Sequence, residues 1–342
     1  IIGHCYNQTG AALATNFCRQ KRRDVVRSAM ARAPQAPLAE RFLSAPPPLP
    51  GWARLEATGT DTEAAFQAGA ALGMLDSRVR ADAPFAGVWC RRLALKAAAA
   101  SARIVRRGED EATLRDVFFL RHGGDDPGPA GRMLVAWRGL DRSAPLSDEA
   151  VCHAAETLQL KVDDVLRAAI ADVQQLAASA RAAPFAAAQA ARVVVVQRPD
   201  AEILSLWLAD AVLAARLKWS RPLPLIAAAL PSLRAGGYRP YPSDANWTLT
   251  CCVAYGRAAA QACDLFAELG RSSQKLIAVA PRLRARGAGA VIETLLNEDA
   301  VLASARRGAI SARGSRRLFD RLVALGGVRE LTGRPTFRLY GL

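Results

Sequence analysis

The sequence predicts a mainly α-helical chain, a multi-helix body that closes on a small module of helix and β-hairpin. Three observations lead there. Alanine dominates most of the 342 residues and 51% of them are hydrophobic, so helix propensity is high and a large core can be buried. Apolar residues recur at helical spacing through the middle, between proline and glycine breaks. The stretch 310–342 carries capping, turn and charge signals that all specify one module.

Residues 1–29 show weak periodicity and a basic run from Arg19 to Arg23. Met30 opens a start-like segment, so the residues before it are expected to be upstream translation rather than a nucleic-acid-binding arm. Pro46 to Gly51 reads as a stiff polyproline linker. The expected division is a disordered or non-native segment with its linker over 1–50, an all-helical body over 51–280, and a C-terminal module over 281–342.

Within the body, Thr62–Val79 is expected to be helical and to end before Pro84. Gly87–Arg107 follows with Trp89, Leu93 and Ile104 in its core, then Glu109–Leu120 with an acidic first turn suited to the helix dipole. The loop 122–131 is rich in glycine and proline and contains Asp125 and Asp126. Two adjacent carboxylates offer either a cation site or turn and cap chemistry, and the second is the simpler reading. The next helix is expected to begin near Gly131 and to carry Trp137. Leu146–Leu160 and Val162–Ala180 read as helices capped by Ser147 and Asp163. Ala186–Val196 is ambiguous, since four consecutive valines follow an alanine run. Pro199–Leu217 is apolar on nearly every side and therefore central, with Asp210 a paired buried carboxylate. Pro222–Leu230 is a short apolar segment. Tyr238 and Tyr241 lie in the polar loop 231–246 with Arg234 and Arg239. They are expected to pack on the body rather than stack on bases. Trp247–Leu269 is a long helix, and Lys275–Arg286 is basic and broken at Pro281.

The module begins with a helix over Gly287–Asn297 and a short second one over Val301–Arg306. Ser311 then caps a third helix that Gly326 and Gly327 stop. At about 100° per residue, Leu318, Leu322 and Leu325 share one side, flanked by Phe319 and Val323. Arg313, Arg316, Arg317 and Arg321 share the other, interrupted by Asp320. Val328–Leu331 and Thr336–Tyr340 read as strands joined by a turn at Thr332–Pro335. A basic helix followed by a hairpin with Arg334 and Arg338 has the order of a winged helix. There the helix enters a major groove and the wing touches the backbone or minor groove. Arg313, Arg316, Arg317, Arg321, Arg334 and Arg338 are the expected DNA-binding residues.

Charge supports that placement. The formal net charge is +15, and residues 301–342 hold nine arginines against Asp320 and Glu330. Residues 271–286 add five basic residues and no acid, while 51–270 is close to neutral. Clustered positive charge points to a polyanionic partner. The seven cysteines have irregular spacing and no C-x-x-C or Cys/His pattern, so they are expected to be reduced core residues of a cytoplasmic protein. No long apolar run marks a membrane span. Phosphate-loop, dinucleotide, metalloprotease and nucleophile-elbow motifs are absent, and neither an enzyme nor a cofactor or metal is expected.

Two resemblances follow. Val328–Arg334 with Arg338-Leu339-Tyr340 looks like the winged helix appended to bacterial Fic-type proteins, without the Fic catalytic signature. From about Pro48 to Leu342 the chain resembles an uncharacterised bacterial group, domain-of-unknown-function family 1403. That likeness rests on PGWAR (50–54), FAGVWCRRLALKAAAA (85–100), EDEATLRD (109–116), GDDPGPAGR (124–132), RPDAEILSLWLAD (198–210), VAPRLRARGAGAVIETLL (279–296) and SRRLFDRLVALGGVRELTGRPTFRLYGL (315–342). It implies no activity. The expected function is DNA binding through the C-terminal winged helix in a regulatory role, with DNA and a second copy of the chain as partners and no membrane. The alternatives are a protein-interaction or dimerisation module and an enzyme centred on Asp125 and Asp126.

Overall fold

The computed structural model describes residues 50–54, 60–122, 124–142, 144–233, 237–283, 285, 287–304, 311–334 and 336–342. The expectations for the N-terminal segment lie outside them. The described chain forms two compact units, one of residues 50–82 and 88–269 and one of residues 83–87 and 270–342.

The larger unit is helical. It holds α1 (Asp61–Arg80), most of α2 (Ala86–Ile104), α3 (Glu111–Leu120), α4 (Gly128–Gly139), α5 (Asp148–Thr157), α6 (Asp164–Ala178), α7 (Ala183–Gln197), α8 (Glu202–Arg216), α9 (Ile226–Ala229) and the first part of α10 (Trp247–Val279). Side chains set several of the starts. Thr60 and Glu63 form a reciprocal capping box, with Glu63 N donating to Thr60 Oγ1 at 3.3 Å and Thr60 N to Glu63 Oε2 at 2.8 Å. Asp110, Ser147 and Asp163 accept the free amides of Thr113, Ala150 and Leu166. The last two are the caps expected from sequence.

Two boundaries differ markedly from expectation and one ambiguity is resolved. The helix carrying Trp137 begins at Gly128, because Pro129 fits the first turn, where no amide donor is needed. Ala183–Gln197 is helix throughout. Its valines are not a strand, since Ala186, Ala187, Ala190, Val194 and Val195 form a continuous buried side packed on α8. The helix from Trp247 continues past Leu269 to Val279. Gly270 lies inside it, and a Cβ there would sit 3.4 Å from Phe85 Cζ, so the glycine leaves room for that ring.

Helix α8 is the centre of this unit. Ile203 to Ala214 are buried without exception, and α5, α6, α7 and α9 pack around it. Four tryptophans fill the spaces that alanine leaves. Each donates its indole N–H inside the core: Trp89 to Ala262 O, Trp137 to Ser101 Oγ, Trp207 to Ala136 O and Trp247 to Ala188 O, all at 2.9–3.0 Å. A buried indole left without an acceptor would cost about 1–3 kcal/mol, so these bonds select one arrangement of the aromatics.

Asp210 is the polar exception on α8, with 1% of its surface exposed. Its carboxylate accepts from Leu225 N at 2.7 Å and Ile226 N at 3.2 Å, and so holds the start of α9. The expectation of a paired buried carboxylate is therefore met by backbone amides rather than by a cation. Burial pushes its pKa up to about 7 against the pull of those two amides. Tyr255 and Cys251 lie close by, buried, with their own pKa values raised well above normal, chiefly by burial. The Tyr255 hydroxyl adds a weak further pull on Asp210, although it makes no hydrogen bond of good geometry. The five described cysteines are free thiols, and four of them are buried.

The smaller unit contains the last turns of α10, α11 (Ala288–Asn297), β1 (Val301–Leu302), α12 (Ala312–Ala324), β2 (Arg329–Glu330) and β3 (Leu339–Gly341). The strands form one antiparallel sheet in the order β1-β3-β2, with Val301 opposite Tyr340 and Arg329 opposite Gly341. The expected short helix over Val301–Arg306 is thus corrected at its start. Strand β3 would otherwise expose an open edge, which Val301 and Leu302 cover. Gly87, at the start of α2, belongs here: a Cβ on it would lie 2.4 Å from Asn297 Oδ1 and 2.7 Å from Asn297 Cα.

Two expectations can be measured. Gly87→Ala forces the Asn297 backbone to move and should lower stability in urea by about 1–3 kcal/mol. Asp210 has a folded-state pKa near 7, above its ordinary carboxyl value of 3.8. Folding therefore favours its protonated form, a contribution complete below about pH 4 and lost as pH rises through about 7. The urea midpoint should fall between about pH 4 and 7 and level off above that, and Asp210→Asn, which keeps an acceptor oxygen, should flatten that part of the profile.

Candidate nucleic-acid interface

Helix α12 is built as the sequence requires. Ser311 Oγ accepts from Gly314 N at 3.2 Å, and Gly326 takes φ +70° to end the helix, with Gly327 N donating to Leu322 O at 2.9 Å. Ser315, Leu318, Phe319 and Leu322, spaced i, i+3, i+4 and i+7, are its buried stripe. Phe319 is fully buried and stacks on Tyr340 of β3, ring centroids 4.7 Å apart and planes 24° apart. Leu325 is half-buried. Val323 is 42% exposed, against the expected apolar flank, because it lies seven residues after Arg316 and shares that residue's side of the helix.

With the apolar stripe turned inward, Arg313, Arg316, Arg317 and Arg321 are all exposed. Among the described residues none of their guanidinium groups has an ion-pair or hydrogen-bond partner. They divide into two pairs. Gly314, Arg317, Leu318 and Arg321 share one edge of α12 and form a wall of an open pocket of about 740 Å³. The facing wall is Pro281, Arg282, Leu283 and Ala285, from the turn that follows α10. Arg313 and Arg316 lie outside it. Among the described residues no acid lines the pocket.

The two arginines expected from the hairpin are placed differently. Arg338 donates from Nε to Arg334 O at 2.9 Å and stands 3.8 Å from Glu330 Oε1. The Tyr340 hydroxyl first, then the Glu330 carboxylate, raise its pKa. Arg338 is thus shared with an acid of its own hairpin, unlike the arginines of α12. Arg334 is exposed beside Gly333, which takes φ +61° in the connection between β2 and β3. Phe337 also takes φ +53°, a conformation a bulky residue rarely adopts, and is 64% exposed.

Arg282, which was not among the residues expected at the site, also lines the pocket. The signal was the uncompensated charge of residues 271–286, which marks a region without saying which of its basic residues meets α12.

The second candidate centre resolves into local structure. Asp125 Oδ2 accepts from His122 N at 3.2 Å and closes a turn. Asp126 accepts from Gly128 N at 3.0 Å and is paired with Arg132 at 2.6 Å, and the Arg132 guanidinium holds its pKa below the usual value. Asp126 therefore anchors the start of α4. In the polar loop, Tyr238 donates to Asp244, Tyr241 to Pro199 O, and Arg239 pairs with Glu202. Tyr241 and Arg239 thus hold the loop to the body, whereas Tyr238, expected to pack there too, bonds within its own loop and is 61% exposed. Among the described residues no group of three or more His, Cys, Asp or Glu is placed to hold a metal ion, and no helix is long and apolar enough to cross a membrane.

A family model described as "Protein of unknown function (DUF1403)" matches residues 39–342. The chain belongs to the DUF1403 family. Both walls of the pocket fall inside the DUF1403 match. No curated protein matches the chain.

Since Phe319 fixes how α12 is rotated, Phe319→Ala should cost about 3–5 kcal/mol in a denaturant titration and loosen the helix from the sheet. Protease cleavage around residues 312–324 should then appear in native buffer.

Proposed function

We propose that this protein binds DNA through α12, with residues 281–342 acting as a winged helix and the β2–β3 connection as its wing. One observation carries the reading: four unpaired guanidinium groups stand on one side of a helix whose opposite side is locked in a core. Like charges so close repel one another, and a polyanion relieves the repulsion while releasing its own counterions. The strand order β1-β3-β2 and the basic helix just before the hairpin support the reading, while among the described residues one helix rather than the expected two leads from β1 to β2. In this reading Arg313, Arg316, Arg317 and Arg321 contact the duplex, Arg334 and Arg338 the flanking backbone, and the helical body holds a second copy or another partner.

A second reading draws on Phe337 and Val323, the large exposed apolar residues of the same unit. They suit a protein partner that α12 and the hairpin would grip together.

Salt separates the two. Fluorescence anisotropy with a labelled duplex should show affinity falling with a log–log slope of roughly −0.9 for each phosphate contacted. Arg316→Ala, Arg317→Ala and Arg321→Ala combined should abolish binding and leave the circular dichroism spectrum unchanged, since all three lie opposite the buried stripe. Absence of binding at low salt ends the DNA reading, and unfolding of the triple variant ends the assignment of faces.

A further inference from the structure

The pocket beside α12 differs from the rest of the basic surface. A charged helix face in water is normally a convex stripe, whereas Arg317 and Arg321 border a concavity that Arg282, from a separate segment, also lines. Arg282 sits in the 3-10 turn after α10, which Leu283 N closes on Ala280 O at 3.1 Å, so the backbone that carries Arg282 is itself held by a hydrogen bond. Three arginines therefore line one pocket, and among the described residues no acid lines it and none of the three guanidinium groups has a partner.

We propose that this pocket is a nucleotide-phosphate site. Guanidinium groups present paired donors that match phosphate oxygens, and three positive charges fit a diphosphate better than a single carboxylate. A volume of about 740 Å³ exceeds what a bare phosphate fills and lies within the range of small-ligand sites. Pro281, Leu283 and Leu318 add apolar surface to the same pocket, suited to a sugar or base edge attached to the phosphates. The shared chemistry is a nucleoside phosphate, supplied either by a nucleic-acid strand or by a free nucleotide. Only the first source rests on the DNA reading above.

Arg282 is the residue that isolates the pocket, because it is outside α12. Isothermal titration with inorganic pyrophosphate and with ADP, and anisotropy with a short duplex, should be run on the intact protein, Arg282→Ala and Arg103→Ala. The last removes one exposed charge from the helical body and controls for net charge. Arg282→Ala should weaken ADP and pyrophosphate, or the duplex, by about tenfold or more, and Arg103→Ala by less than about twofold. Loss confined to ADP and pyrophosphate assigns a free nucleotide, and loss confined to the duplex assigns a strand phosphate. If the duplex never binds while ADP does so in an Arg282-dependent way, the pocket stands and the DNA reading falls. If the duplex binds the intact protein and Arg282→Ala equally, and neither ADP nor pyrophosphate binds, the pocket falls and the DNA reading stands. An equal loss in Arg282→Ala and Arg103→Ala overturns the pocket as well, since net charge alone would then explain it.

Discussion

Burial of α8 on every side is the constraint on which the helical body depends. A helix without a solvent face has to be enclosed, and the neighbours that enclose it can approach closely only where they present small residues. The alanines of α7 meet that demand, and the four tryptophans fill what remains. Because each indole N–H also needs an acceptor, the enclosing helices are held in register as well as in contact. Asp210 belongs to the same constraint: its carboxylate ties α9 to α8 through backbone amides where no water reaches.

The smaller unit follows a simpler rule. Phe319 against Tyr340 determines the rotation of α12, and rotation determines which arginines face outward. One edge of the helix then combines Gly314, Arg317, Leu318 and Arg321, so charge and apolar surface meet at the lip of the pocket. The other pair, Arg313 and Arg316, stays on the open surface. A single packing contact thus sorts four chemically identical residues into two environments, and Arg338 is sorted into a third by Glu330 in its own hairpin.

Several acidic and short polar side chains among the described residues are committed to local structure. Asp110, Ser147 and Asp163 show how often a short polar side chain next to a helix is a cap. Asp126 is held by Arg132 and Gly128 N, and the same chemistry that makes a carboxylate pair attractive as a cation site makes it a good turn anchor. The backbone amide of a turn is always nearby, whereas a metal site needs several ligands brought from a distance.

The sequence alone determined what depends on nearest neighbours along the chain. Helix caps, the Gly326 stop, the division of α12 into apolar and basic faces, and the β2–β3 hairpin are all set by residues within a few positions of one another, so local rules read them. The family was legible as well, from blocks of residues in order. Tertiary structure decided what depends on residues far apart. It made Ala183–Gln197 a helix by burying it on α8, turned Val301–Leu302 into a strand by offering the edge of β3, and carried α10 on past Gly270 around the Phe85 ring. It also brought Arg282 into one pocket with Arg317 and Arg321. No periodicity connects a turn at residue 282 to a helix beginning at residue 312, because their meeting is a property of packing, and packing acts between surfaces rather than along the chain.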